Sequence, residues 1–301
     1  LNHYIVTRLG VGISRKSFYD HHIKLLKEGL AVCFSKQTDS RFVWILIVDA
    51  KIPDSSFDEL RNLIRSANGR VMKYDPIKNM RMLPRTAKEI VGDIDSPYLM
   101  TRIDDDDIVT NDFVATLRSE AEKFTKHHSS IALADGVNCH LEHGCYTPYY
   151  HPTTPVGVSV YSLSGKDINV YAGNHNKMHE RTNLRGGDVK IVRTNEPVWA
   201  YIRWGGSDSA AYRGSSKPSN GRPLSELRDD FLYKCGLSHD WFEKISGIHD
   251  ADSDFRPEIV GTKKARLALK NEYLNILSGL DENDDRYSDK AEALTAAFYA
   301  I

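Results

Sequence analysis

The sequence predicts an α/β protein: a Rossmann-like, mostly parallel sheet flanked by helices, with a helical appendage at the carboxyl end. Three observations carry that prediction. Short β-branched and aromatic runs alternate with helical stretches over the first 124 residues, the βαβα rhythm of a parallel sheet with helices on its faces. The run Arg41-Phe-Val-Trp-Ile-Leu-Ile-Val48 is continuously apolar after its arginine, the pattern of an interior strand covered on both sides. The run Ser96-Pro-Tyr-Leu-Met-Thr-Arg-Ile103 leads straight into Asp104-Asp105-Asp106-Asp107, so four carboxylates stand where a buried strand must end.

Residues 3–9 are expected to form the first strand, ending in Gly10-Val-Gly12, a loop where backbone can approach a ligand closely. Residues 14–27 read as a helix capped by Ser14, with Phe18, His22, Leu25 and Leu26 as packing positions. Residues 41–48 are the second strand. Asp49 closes it, and either caps the next turn or accepts hydrogen bonds from a nucleobase or ribose. Residues 55–66 read as a helix, 70–74 as a strand and 83–91 as a helix; the acidic stretch is then the fourth strand, followed by a helix over 111–124.

The pattern then becomes less regular. Residues 131–139 read as a strand with a turn at Asp135-Gly136, and residues 141–155 as a Tyr- and His-rich loop whose Tyr146, Tyr149, Tyr150 and His151 suit the stacking of a sugar ring or simply anchor the loop. Strands are expected over 156–163 and 167–171, and a hairpin over 188–203. Residues 205–223 are rich in Gly, Ser and Pro and read as a lid or linker. Helical patterns follow at 224–235, 240–245, 262–277 and 289–299, the last opened by a capping box of Asp289 and Glu292. The division expected is 1–215 for the sheet domain and 216–301 for the appendage, whose alternating charges suit packing or homo-oligomer contacts better than a membrane surface.

Composition narrows the function classes. With 41% hydrophobic and 27% charged residues and a formal net charge of −1, the chain carries no global signal for nucleic acid. Cys33, Cys139, Cys145 and Cys235 form no CxxC pair, which argues against zinc and thioredoxin-type sites and for reduced thiols in a cytoplasmic protein. The apolar run 42–48 is too short to span a bilayer, and the amino end lacks the basic-then-apolar pattern of a secretory signal. The expected location is the cytoplasm, free or resting on the inner membrane.

Four adjacent carboxylates repel one another, by about 1 kcal/mol per pair at 4 Å in water and several times that near a protein surface. The cluster therefore asks for a cation unless it is a solvated acidic turn. Oxygen-only ligands favour Mg²⁺ or Mn²⁺, and Mg²⁺ is held by one or two carboxylates together with substrate phosphates. A metal-assisted site for a phosphorylated ligand at the carboxyl end of a strand is the expectation.

Ile47-Val-Asp49, Pro84-Arg-Thr-Ala-Lys-Glu-Ile-Val91 and Pro97-Tyr-Leu-Met-Thr-Arg-Ile-Asp-Asp-Asp-Asp107 resemble the nucleotide-binding half of inverting, type-A (GT-A) glycosyltransferases, the family that includes cellulose and chitin synthases. Thr7-Arg-Leu-Gly-Val-Gly12, residues 41–49 and Thr101-Arg-Ile-Asp-Asp-Asp-Asp107 are similar, more narrowly, to a bacterial rhamnosyltransferase-like group, over about residues 3–204. The resemblance implies a nucleotide-sugar donor (UDP-, dTDP- or GDP-linked), a divalent ion, and a glycan or lipid-linked glycan acceptor. It implies that Asp104 faces the ribose and Asp106 the metal, with Asp105 or Asp107 assisting, and that Asp49 and Arg85 contact the base. Thr7 and Arg8 would lie in the loop that wraps the nucleotide. Arg102 either pairs with Asp104 or is a surface charge.

For the acceptor side the resemblance points to Gly173-Asn-His-Asn-Lys-Met-His-Glu180. The general base would be Glu180 or Asp188, with His175 or His179 as base, metal or diphosphate contact. Relatives often carry a histidine after the Trp-containing strand, where this chain has Arg203 and Trp204. Arginine cannot ligate a cation but can neutralise a departing diphosphate. Two other readings stand beside glycosyl transfer: a nucleotidyltransferase, for which Gly10-Val-Gly-Ile-Ser-Arg-Lys16 is a partial phosphate loop, and a non-catalytic glycan-binding homologue.

Overall fold

The first strand, β1 (Asn2–Leu9), becomes an interior strand of a seven-stranded sheet because both of its faces are apolar: Ile5 and Leu9 point to one side and Val6 to the other, all fully buried. The computed structural model describes residues 1–251 except 77, 80–82, 85, 154–155, 164–168, 172–176 and 205–217, together with residues 271 and 276. After β1 come α1 (Lys16–Glu28), α2 (Leu30–Ser35), β2 (Val43–Asp49), α3 (Asp54–Arg65), β3 (Gly69–Tyr74), α4 (Ala87–Val91) and β4 (Tyr98–Arg102). Next are β5 (Ile108–Val109), α5 (Phe113–Ala121), β6 (Ser129–Leu133), β7 (Asp135–His140), β8 (Cys145–Tyr150) and β9 (Ser159–Ser162). The remainder is α6 (Met178–Leu184), β10 (Val189–Val192), β11 (Trp199–Arg203), β12 (Arg222–Pro223), α7 (Leu224–Leu227), α8 (Tyr233–Cys235) and α9 (Trp241–Ala251). A π-helical turn over Arg228–Leu232 joins α7 to α8.

The large sheet has the order β10-β6-β9-β4-β1-β2-β3 and is parallel except for β9, which runs against both β4 and β6. A second, five-stranded sheet has the order β12-β8-β7-β11-β5. The α/β class and the mostly parallel sheet are as the apolar runs predict. In β2, Trp44, Leu46 and Val48 pack into one core and Ile45 and Ile47 into the other, which is why that strand reads as unbroken apolar sequence. Each such side chain contributes about 1.5–3 kcal/mol by burial. A buried polar seam crosses the sheet as well: Thr101 Oγ1 meets His3 Nε2 at 2.8 Å and Ser159 Oγ at 2.7 Å.

Several expectations are corrected. Ser14 does not cap α1, whose N-cap position is Arg15 without a side-chain cap. The single strand expected over 131–139 is two strands in two different sheets, because the chain crosses between them at Ala134, and Asp135-Gly136 lies inside β7 rather than in a turn. The Tyr-rich stretch expected as a loop contains β8, in which Tyr146 is buried and Tyr149 packs edge-on against Trp199 at 5.9 Å. The hairpin expected over 188–203 does not form: β10 joins the large sheet and β11 the small one. Residues 30–35 and 108–109 form a helix and a strand that the sequence pattern does not announce. The helices expected at 262–277, except residues 271 and 276, and at 289–299 fall outside the described residues, as do residues 167–168; residues 169–171, expected to end a strand, lie in a turn.

Residues 224–245, placed in the expected appendage, contribute to the main core. Leu224, Leu227, Phe231, Leu232, Trp241, Phe242 and Ile245 belong to the same buried cluster as Leu9, Leu46 and Leu99. The Trp241 indole N–H donates to the Glu28 carbonyl at 2.6 Å, pinning α9 to the end of α1.

Candidate active site

β4 is held on both sides by strands and ends at Arg102; Ile103, 1% exposed, is the last side chain it buries. Four adjacent carboxylates cannot continue the apolar strand, so the chain turns at the sheet's carboxyl edge, with Asp107 alone of the four buried. The Asp107 N–H reaches back to the Asp104 carbonyl at 3.4 Å, and β5 then pairs antiparallel with β11.

Each carboxylate of this turn has a different neighbour. Arg102 donates to both oxygens of Asp104, through Nε at 3.2 Å and Nη2 at 3.1 Å, while its guanidinium lies 5.3 Å from the centre of the Tyr171 ring. Asp105 is hydrogen-bonded to His22 Nδ1. Asp106 Oδ2 accepts from the Trp204 indole at 3.5 Å, and the buried Asp107 accepts from the Ile202 N–H at 3.4 Å. The side chain of Asp104 is 32% exposed and that of Asp105 13%, so Asp104 is the more open to solvent.

Charge in the turn is incompletely compensated. Burial, and after it repulsion from Asp105 and Asp104, pushes the Asp106 carboxyl up to about 7. Burial likewise raises Asp107 well above the usual carboxylate range, Asp106 and Asp104 add to this, and the Arg203 guanidinium opposes it. The Arg203 guanidinium carbon lies over the Tyr201 ring, 3.2 Å from its centre. A narrow cleft borders the turn, walled by Leu30, Asp105, Asp106, Ile202, Trp241 and Ile245.

On the β1 side, Asp49 does two structural jobs at once. Its Oδ1 accepts from the Lys51 N–H at 2.8 Å, capping the turn after β2, and its Oδ2 accepts from Gly12 at 2.7 Å, tying down the loop after β1. Burial raises its pKa, and these two backbone donors oppose the shift. Thr7 and Arg8 lie within β1 and not in the loop after it. Thr7 is fully buried and its hydroxyl accepts the Trp44 indole N–H at 3.1 Å, which makes it a packing residue. Arg85 is outside the described residues.

The residues expected on the acceptor side are not gathered at this turn. Asp188 precedes β10, the outermost strand of the large sheet, and β10 is three strands from β4, about 14 Å at ordinary strand spacing. Register carries Val189 through Ser130 and Val160 to Met100, so Asp188 sits toward the amino end of β4, away from its carboxyl edge. Its carboxylate pairs with Lys126 at 2.8 Å. Glu180 is exposed on α6, which docks over β6 and β10, and pairs with Lys177 at 2.8 Å. His179 is buried, with Nδ1 on Ser130 Oγ at 2.8 Å and Nε2 on the Pro152 carbonyl at 3.0 Å, so both ring nitrogens serve structure. His175 is outside the described residues. Arg203 and Trp204, by contrast, do meet the acidic turn.

The site also contains His22, which sequence reasoning assigned to packing, and His21, which it did not single out. His22 contacts Asp105, and His21 lies tilted against Trp204, the donor to Asp106, with ring centroids 5.1 Å apart. A signal existed: His22 lies one helical turn after Phe18, so a polar ring interrupts an apolar stripe. The donor set of the turn fits a hard divalent cation, since its ligands are all oxygen and Asp106 carries repulsion that a positive charge would relieve. Among the described residues no group of three or more His, Cys, Asp and Glu side chains converges as a ready-made metal cage.

A family model described as "Putative rhamnosyl transferase" matches residues 25–198. Among solved structures, S. aureus TarS (residues 1–349) aligns with 9% identity and a TM-score of 0.41, covering 99% of this chain and 90% of that one. No curated protein sequence matches the chain. No helix among the described residues is long and apolar enough to cross a membrane. The family match spans β2, β4 and the acidic turn and more than half of the chain, which therefore belongs to the rhamnosyl transferase family and is a glycosyltransferase.

Proposed function

We propose that this glycosyltransferase moves a sugar from a nucleotide-sugar donor to a hydroxyl of a glycan or glycolipid acceptor, with inversion, and that the donor's diphosphate sits at the Asp104–Asp107 turn. The observation that carries this reading is the division of labour in that turn. Asp105 is held by His22 and Asp107 is buried against Ile202, whereas Asp104, oriented by Arg102, is the more open to solvent and Asp106, oriented by Trp204, carries the repulsion a cation would relieve; these two are the pair assigned to the ligand. A Mg²⁺ or Mn²⁺ ion held by Asp106 and Asp104 would supply positive charge that stabilises the leaving nucleoside diphosphate.

The chain's own residues do the rest. Arg102 fixes the rotamer of Asp104 through its two-oxygen grip, and Arg203 brings a guanidinium beside the turn to neutralise charge developing on the leaving group. The indole of Trp204 orients Asp106 and covers it from water. The loop after β1, locked by Asp49, forms the wall on the nucleoside side.

Nucleotidyl transfer finds less support. It would need a basic, glycine-rich phosphate loop after β1, yet the Gly12 N–H is spent on Asp49 and Lys16 pairs with Asp20 at 2.7 Å. The test is a thermal-shift panel of nucleoside diphosphates and sugar nucleotides, with and without Mn²⁺, on wild type and Asp106→Ala. Metal-dependent stabilisation by one nucleotide, lost in the variant, supports the reading. A flat panel for wild type contradicts it and favours a non-catalytic homologue.

A further inference from the structure

We propose that His22 is a positioning residue for the donor: it fixes Asp105 so that the acidic turn presents Asp104 and Asp106, and it couples that turn to the loop after β1. The proposal rests on the sugar-nucleotide reading above. Its basis is that a single turn of α1, residues 18–22, touches both walls of the site.

On one side, Phe18 fills the space under Gly10, where an added Cβ would lie 2.5 Å from Phe18 Cε1, and the backbone there has φ +65. Tyr19 donates to the Ile13 carbonyl at 2.9 Å and accepts the Asp49 N–H at 3.3 Å. On the other side, His22 reaches Asp105, 83 positions further along the chain. The His22 ring is stacked on Phe18 with centroids 4.1 Å apart and an interplanar angle of 27°, so its orientation follows Phe18 and through it the loop. The neighbouring His21 lies tilted against Trp204, centroids 5.1 Å apart, and so backs the donor to Asp106. Two consecutive histidines thus serve two consecutive carboxylates, one directly and one through an indole.

Packing alone does not call for a histidine here. A leucine would fill the space, whereas an imidazole N–H both satisfies Asp105 and restricts its rotamers. The ring has only two torsions to freeze, so this restraint costs little side-chain entropy. An outer hydrogen bond that orients a ligand-facing group is a common way of gaining affinity without touching the ligand.

The experiment is calorimetric titration of UDP, GDP and dTDP in Mg²⁺ buffer into wild type, His22→Ala, His22→Asn, Asp105→Ala, the double variant that combines His22→Ala with Asp105→Ala, and Lys27→Ala, an exposed position on the same helix. The proposal predicts binding weakened about tenfold by His22→Ala, what the loss of one charge-assisted hydrogen bond gives. His22→Asn, whose amide can stand in for Nδ1–H, recovers most of it, and Lys27→Ala binds as wild type. The double variant binds no more weakly than Asp105→Ala alone, because both substitutions break one contact. Melting temperatures of the ligand-free variants stay together, which separates positioning from folding. Wild-type affinity in His22→Ala, or fully additive losses in the double variant, overturns the role of His22 alone. Failure of all three nucleotides to bind wild type overturns the sugar-nucleotide reading, and this proposal with it.

Discussion

Asp106 is the most revealing single residue, because its environment penalises the charge it carries. Its folded-state pKa of about 7 lies above the ordinary 3.8, so between those values the folded protein binds more protons than the unfolded chain. The resulting stability is fully present below about pH 4 and is lost as pH rises through 7. Asp106 therefore favours pH 5.5 over pH 8, opposed by buried histidines such as His3 whose lowered pKa favours the higher pH; Asp106→Asn removes the first contribution, so its melting temperature relative to wild type should rise from pH 5.5 to pH 8, and a difference that is the same at the two pH values counts against it. Thr7 makes the opposite point. Thr7→Val strands the buried Trp44 indole and should cost about 1–3 kcal/mol of stability while leaving donor KM within twofold. A large rise in KM without loss of stability would return Thr7 to the nucleotide site.

Among the elements, the small sheet is the one on which the site leans without its being visible in the sequence. β5 follows directly from the acidic turn and is held by β11, whose Trp199 ring occupies the space over Gly136 of β7; a Cβ there would lie 2.2 Å from the indole. Gly136→Ala should displace Trp199, cost about 1–3 kcal/mol and lower kcat by shifting β11 and with it Arg203. Chemical denaturation and steady-state kinetics check this together, and a variant of wild-type stability would show that the sheet adapts.

The elements also show what could be read from residues alone. β2 and β4 were legible because burial on both faces leaves an unbroken apolar run, and the acidic turn because four charges must stop at the sheet edge. The crossing at Ala134 was not, since residues 131–139 read as one strand with a turn at Asp135-Gly136, and nothing local marks a change of sheet. Nor was His22, because its partner is brought to it by the docking of α1 on the sheet. Glu180 and Asp188 fit the expected spacing in the chain, but spacing does not fix which strand order separates them from β4.

For the whole molecule, the segment 224–245 completes the core rather than hanging from it. A chain ending at residue 223 would lose Leu227, Phe231, Leu232, Trp241, Phe242 and Ile245 from the main cluster, at about 1.5–3 kcal/mol each, more than the typical stability of 5–15 kcal/mol can spare. Such a chain should fail to fold cooperatively, as far-UV and near-UV circular dichroism would show; a cooperative melt near that of the full chain would contradict a shared core. The same segment supplies Trp241 and Ile245 to the cleft beside Asp106, so stability and site geometry are joined at α9.

The account as a whole asks the acidic turn to hold a diphosphate that leaves when the sugar is transferred. The most direct measurement is the identity of the phosphate product when a sugar nucleotide and Mn²⁺ are incubated with the protein and a hydroxyl acceptor or water. Release of nucleoside diphosphate, reduced at least a hundredfold in Asp106→Ala at a melting temperature no lower than that of wild type, is the predicted result. Pyrophosphate as the product, or nucleoside diphosphate released as fast by Asp106→Ala as by wild type, would contradict it.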